Sequence, residues 1–87
     1  MALISLVGQD SAGGVITGPG MPNWTWNGKP ISVLGDAVAP HGDGAHRSPS
    51  MVQGSPWMSI NGIPVVHAGH LASCGHAATG SAPADIP

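Results

Sequence analysis

At 87 residues the chain has the length of one domain, 1–87, and a hydrophobic core of that size alone is only marginally stable. Gly and Pro make up about a quarter of it, Phe and Tyr are absent and Trp occurs three times, which excludes a large aromatic core and disfavours helices, since each Gly or Pro inside one costs about 1 or 3 kcal/mol. The formal net charge is −2 with Lys29 and Arg47 the only basic side chains, so no basic surface exists to hold nucleic acid or anionic lipid.

Charged residues are 7% and apolar ones 41%, the reverse of the balance that keeps Gly- and Pro-rich chains disordered. A folded, turn-rich, all-β chain is expected. The apolar start, residues 1–7, lacks a positive n-region and a long h-region, and no stretch approaches a membrane span, so synthesis and folding in the cytoplasm are expected. One cysteine, Cys74, cannot form an internal disulfide, which leaves a metal as the candidate staple.

In chain order, the first signal is Leu6-Val7-Gly8-Gln9-Asp10, leading through a turn at 9–14 into the return stretch Gly13-Gly14-Val15-Ile16-Thr17-Gly18. Next, Gly20-Met-Pro22 runs through Asn27-Gly28 and Pro30 to Gly35-Asp36. Asn-Gly is the strongest short signal for a type I′ hairpin turn, so residues 24–26 are expected to pair with 31–34. A second turn at 36–49 carries His41 and His46. The hairpin pattern then repeats as Gly54-Ser-Pro56, Asn61-Gly62, Pro64 and Gly69-His70, offset by 34 from the first copy (61 minus 27), and predicts pairing of 58–60 with 65–68. Pro30 and Pro64 lack an N–H and point to edges or bulges. A third turn at 70–76 holds Cys74 and His76. Three turns of one kind predict a small cone of β-hairpin repeats with threefold pseudo-symmetry.

All five histidines fall between 41 and 76, with Cys74 among them. Imidazole and thiolate together suit a structural zinc, which normally takes four protein ligands in a tetrahedron. The glycines of His41-Gly-Asp-Gly-Ala-His46 let that loop curl until both rings face one ion. Cys74-Gly75-His76 supplies the other two ligands. His41, His46, Cys74 and His76 are thus the expected set, with His70 as the alternative fourth ligand and His67 the weakest candidate. Zinc is the expected ion, with iron as second choice. Other motifs read as structure: Gly8-Gln-Asp-Ser-Ala-Gly13 is no phosphate loop, and no nucleophile elbow accompanies Ser50, Ser55 or Ser73. No catalytic residue is assigned, and a zinc-binding module or zinc hydrolase is the rival reading. Trp24, Trp26 and Trp57 are expected to provide the main packing mass.

These residues resemble the PAAR-repeat proteins, whose later units read like Gly-Ser-Pro-x-Val-x-Ile-Asn-Gly-Lys-Pro-Ala-Ala-Arg-x-Gly-Asp. Residues 27–36 and 54–70 follow that pattern, with Ile31-Ser32-Val33 and Val65-Val66-His67 in place of Ala-Ala-Arg. The resemblance implies a conical β-fold with a zinc-bound apex, seated one copy per trimer on the β-helical end of a spike protein. That partner is VgrG in type VI secretion or its phage-tail counterpart. It also implies attached effector proteins, transient contact with a target membrane, and delivery with the spike or residence at a tail tip. Family ligands are commonly three His and one Cys, one His lying in the first turn; here residues 9–14 contain none.

Overall fold

The computed structural model describes residues 2–84. Its elements are β1 (Ala2–Ile4), β2 (Ser11–Ala12), β3 (Gly14–Gly18), β4 (Met21–Trp26), β5 (Lys29–Ile31), β6 (Ala37–Val38), a 3-10 turn (Gly44–His46), β7 (Ser59–Ile60), β8 (Ile63–Pro64) and β9 (Ala82–Ala84). No α-helix occurs among the described residues, which fill an elongated body of 35 × 24 × 21 Å.

Both Asn-Gly turns form as the sequence predicts, with φ of 52° and 79° at Asn27 and Gly28 and 53° and 80° at Asn61 and Gly62. Left-handed backbone at both central positions is what a type I′ turn requires. The hairpins are tighter than expected. Thr25 pairs with Pro30 and Trp26 with Lys29, with a register irregularity back to Met21, while Ser59 pairs with Pro64 and Ile60 with Ile63. The prolines sit inside the pairs because only their carbonyls are needed: Pro30 O accepts from Val7 N–H at 2.9 Å and Pro64 O from Leu34 N–H at 2.8 Å.

The stretches after those prolines were expected to pair within their own hairpins, yet they pair with one another around an axis. Ser5 N–H donates to Val66 O (3.0 Å), Val66 N–H to Ser32 O (2.9 Å) and Ser32 N–H to Ser5 O (3.0 Å), closing a ring. A second set repeats the symmetry, from Val7 to Pro30, Leu34 to Pro64 and Ala68 to Leu3. The bridges Leu6 to Ile31, Val33 to Val65 and His67 to Ile4 are the same contact made three times. Threefold pseudo-symmetry is therefore written in the backbone, where it satisfies the buried N–H and C=O groups of the axis.

Each segment continues into an equivalent turn. Gly8, Gly35 and Gly69, all at left-handed φ, donate to Ile16 O, Met51 O and Ala78 O; Ile16, Met51 and Ala78 donate in return to the carbonyls of Asp10, Asp36 and His70. Beyond them the pairs Ser11–Val15, Ala37–Ser50 and Leu71–Ala77 lead to three loop tips. The turns are closed by side chains. Asp10 accepts from Leu6 N–H at 2.8 Å and Asp36 from Val33 N–H at 2.9 Å. In the third turn His70 Nδ1 takes that place, accepting from His67 N–H at 3.1 Å.

Two apolar layers flank the ring. One holds Ala12, Ile16, Val38, Met51, Val66, Ala72 and Ala78, with Cys74 packed against it. The other holds Ile4, Leu6, Val33, Ile60, Val65 and Ala82, with Met21 and Met58 beside it. The loop tips thus adjoin the first layer and the Asn-Gly hairpins the second. The tryptophans do not form the core, contrary to expectation: Trp24, Trp26 and Trp57 are 52%, 44% and 66% exposed. An axis where three backbones hydrogen-bond directly has room for Ser, Ala and mid-sized aliphatics, and the indoles are left on the hairpins.

Candidate metal centre

The second loop tip is a curled chain held at both ends. Ala39 N–H donates to Val15 O at 2.7 Å, anchoring its start to β3, and His41 N–H donates to His46 O at 2.9 Å, closing it. Between them the 3-10 turn follows Asp43, with Gly44 at φ 63° taking the left-handed bend. His41 and His46 consequently face the same way. The third tip is tighter: Gly75 N–H donates to Ala72 O (2.9 Å) and Ala72 N–H to His76 O (3.0 Å), with Gly75 at φ 89°. This folds Cys74 and His76 onto one side. Ser73 ties the two tips together, its N–H donating to Ser50 O at 2.8 Å and its hydroxyl accepting from Ser50 N–H at 3.1 Å.

Four donor atoms converge as a result. His41 Nε2 lies 3.0 Å from His76 Nδ1, 3.1 Å from His46 Nδ1 and 3.5 Å from Cys74 Sγ; Sγ is 3.7 Å from His76 Nδ1. All four residues can place ligand atoms within 4.8 Å of one another. His41 Nδ1 sits 3.0 Å from Ala39 O, which can only accept, so this nitrogen carries the proton and Nε2 presents a lone pair. One lone pair cannot answer three neighbours by hydrogen bonding, whereas a shared cation can.

The spacing fits such an ion. With about 2.0–2.1 Å to nitrogen and 2.3 Å to thiolate, a tetrahedral centre has N–N edges of roughly 3.3 Å and N–S edges of roughly 3.6 Å. The His41–Ala39 contact is also the kind of outer hydrogen bond that fixes a ligating imidazole's tautomer and orientation. The cluster can therefore hold one metal ion between the second and third tips.

The first tip contributes bare backbone. A Cβ on Gly13 would run into His76 Nδ1 and come within 2.6 Å of His41 Nε2, and a Cβ on Gly14 would meet Ala39 O. Gly-Gly at this tip lets the chain pass beside the donor cluster. Nothing in the sequence singles out Gly13, although the absence of a first-turn His falls at this same tip.

The alternative ligand His70 does not join the cluster. Its ring packs on His67, centroids 3.8 Å apart, and its Nδ1 is occupied by the His67 N–H. Burial, and secondarily the neighbouring His67, lower its pKa below the usual 6.5. His67, the weakest candidate, also lies outside the cluster, with Nδ1 3.1 Å from Ala68 O.

The family model for the PAAR motif matches residues 9–79, a span that contains all three tips and both hairpins. The chain belongs to the PAAR family. Members of that family are structural spike tips, and the PAAR fold is a β-cone. A comparison with curated proteins finds no match. Within the PAAR unit described here, the donor cluster and the hairpins adjoin opposite apolar layers.

Proposed function

We propose that this PAAR protein is the metal-locked point of a contractile injection spike, one copy capping the trimeric β-helical end of a VgrG-like or phage-tail spike. The observation that carries this reading is the convergence of His41, His46, Cys74 and His76 from two loop tips at one end of a threefold hydrogen-bonded body. A closed ring of three equivalent strands suits a partner with true threefold symmetry. At the other end, the hairpins present strand edges and exposed indoles, the kind of surface that pairs with another chain.

The ion that suits three imidazoles and one thiolate is Zn²⁺, and four protein donors complete its tetrahedron. A closed shell leaves no position for an activated water, which supports a mechanical role over hydrolysis. Effector proteins carried with the spike and brief contact with a target membrane complete the proposal. The experiment is to mix the zinc-loaded protein with its spike trimer and measure mass under native conditions. A complex of one PAAR chain to three spike chains is expected, and free components at micromolar concentration would refute the cap.

A further inference from the structure

The three turns share one backbone design but not one chemistry. In the first two, an apolar residue and a buried aspartate face each other across the turn: Leu6 with Asp10 and Val33 with Asp36. In the third, His67 and His70 occupy those places, with rings 3.8 Å apart. A carboxylate accepts a hydrogen bond throughout the neutral and mildly acidic range. An imidazole accepts only while one nitrogen is unprotonated.

We propose that the third turn is a proton-sensitive joint, closed while His70 is neutral and opened when it is protonated. His70 Nδ1 accepts from His67 N–H, so the neutral ring carries its hydrogen on Nε2. A proton added at Nδ1 converts the acceptor into a donor aimed at an N–H. It also sets a positive charge against the His67 ring. The bond that closes the turn is then lost.

No carboxylate beside the partly buried ring offsets the charge. The turn is bonded to β1 through Ala68 N–H to Leu3 O and the Ile4–His67 bridge, and to the return stretch through Gly69 N–H to Ala78 O and Ala78 N–H to His70 O. Neither β1 nor residues 77–82 bring a titratable side chain. The nearest turn's acid, Asp10, is engaged by Leu6 N–H, Thr79 Oγ1 and Ser81 Oγ. His67 is thus the one titratable neighbour among the described residues, and its influence on His70 is to disfavour the charge. Because the folded pKa lies below the unfolded one, the turn's contribution is present above pH 6.5 and is lost as pH falls through the lower folded value.

The same hydrogen bond argues against a second metal here. A metal on His70 Nε2 would require the proton to move to Nδ1, where the His67 N–H already points. Opening this turn would release the third strand segment from β1 while Cys74 and His76, beyond it in the chain, remain with the metal. The joint therefore concerns the body of the fold rather than its tip.

The test is amide hydrogen exchange on the full, zinc-loaded chain, comparing the N–H groups of Leu6, Val33 and His67 from pH 7.5 to pH 5, with zinc content measured at each point. Expected is a tenfold or greater loss of protection at His67 toward acid, corrected for intrinsic exchange, with Leu6 and Val33 unaffected and zinc retained. His70→Asp and His70→Asn keep an acceptor in place that does not titrate as imidazole does, so either variant that folds should abolish the acid-dependent loss. Nitrogen chemical shifts of the His70 ring in the unmodified protein supply a readout independent of any variant. Equal pH dependence at all three amides, loss confined to conditions that release zinc, or an Nδ1-protonated ring at pH 7.5 would each overturn the proposal.

Discussion

His41 Nε2 and His76 Nδ1 stand 3.0 Å apart although 35 positions separate them in the chain. Two ring nitrogens brought that close by separate loop tips, with a third nitrogen and a sulfur around them, form a shell that makes chemical sense around a cation. Removing the ion should cost far more than any single side-chain contact.

One zinc per chain is expected by elemental analysis. Structural zinc sites contribute apparent folding free energies on the order of 10 kcal/mol, so stripping the ion with a chelator should lower the melting temperature by tens of degrees or abolish the transition. Acid stronger than about pH 5 should also release the ion, because protons compete with the metal for the ligand atoms. Calorimetry with and without chelator checks this, and identical melting curves would sink the metal-locked tip.

Gly13 isolates the geometric demand of the site from the cost of its backbone. Gly13 and Gly35 share left-handed φ, 89° and 92°, so alanine at either position is strained by about 1–2 kcal/mol. Only at Gly13 does the added Cβ meet the donor atoms, while at Gly35 nothing lies within 4 Å. Gly13→Ala should weaken zinc binding about tenfold or more and Gly35→Ala should leave it unchanged, as read by competition with a colorimetric chelator.

Much of this is legible in the sequence. Asn27-Gly28 and Asn61-Gly62 announced their turns because positive φ at two successive residues has a narrow sequence signature, and the His-Cys clustering pointed to the four residues that converge. The partners of 31–34 and 65–68 were not legible. A strand's sequence shows which groups need pairing, but the ring of Ser5, Ser32 and Val66 joins segments far apart in the chain, whose meeting depends on the whole fold. The exposure of the tryptophans is hidden in the sequence for a related reason: composition shows how much apolar mass exists, while the width of the axis decides which of it fits. The lack of a His in the first turn goes with Gly13, whose bare backbone lies beside the donor atoms, a proximity that only the folded chain shows.

Asp36 should be among the least replaceable polar residues. Its carboxylate accepts from Gly20 N–H at 3.1 Å, Ser32 Oγ–H at 2.9 Å and Val33 N–H at 2.9 Å, all buried. Alanine would strand three donors, each costing about 1–3 kcal/mol when buried without a partner. Asparagine preserves shape but turns an amide N–H₂ toward donors on one side. Urea titration of the zinc-loaded protein should show Asp36→Ala destabilised by about 3 kcal/mol or more, with Asp36→Asn between it and the unmodified chain. An Asp36→Ala loss below about 1 kcal/mol would mean the three bonds do not hold the turn.

Trp24 and Trp26 offer a way to separate folding from docking. They lie two residues apart on β4, at the Asn27-Gly28 hairpin, and both are about half exposed. Side chains so placed contribute little to the buried layers, and changes at exposed positions generally alter stability by less than about 0.5 kcal/mol. The pair Trp24→Ala and Trp26→Ala should therefore leave zinc content intact and the melting temperature within a few degrees. If the hairpin end seats on the spike, removing two indoles also removes the large apolar anchors on which such interfaces depend, and capture of the spike trimer should fall at least tenfold. Unchanged capture alongside unchanged stability would move the seat away from this hairpin, and a collapse in melting temperature would show that the indoles pack after all.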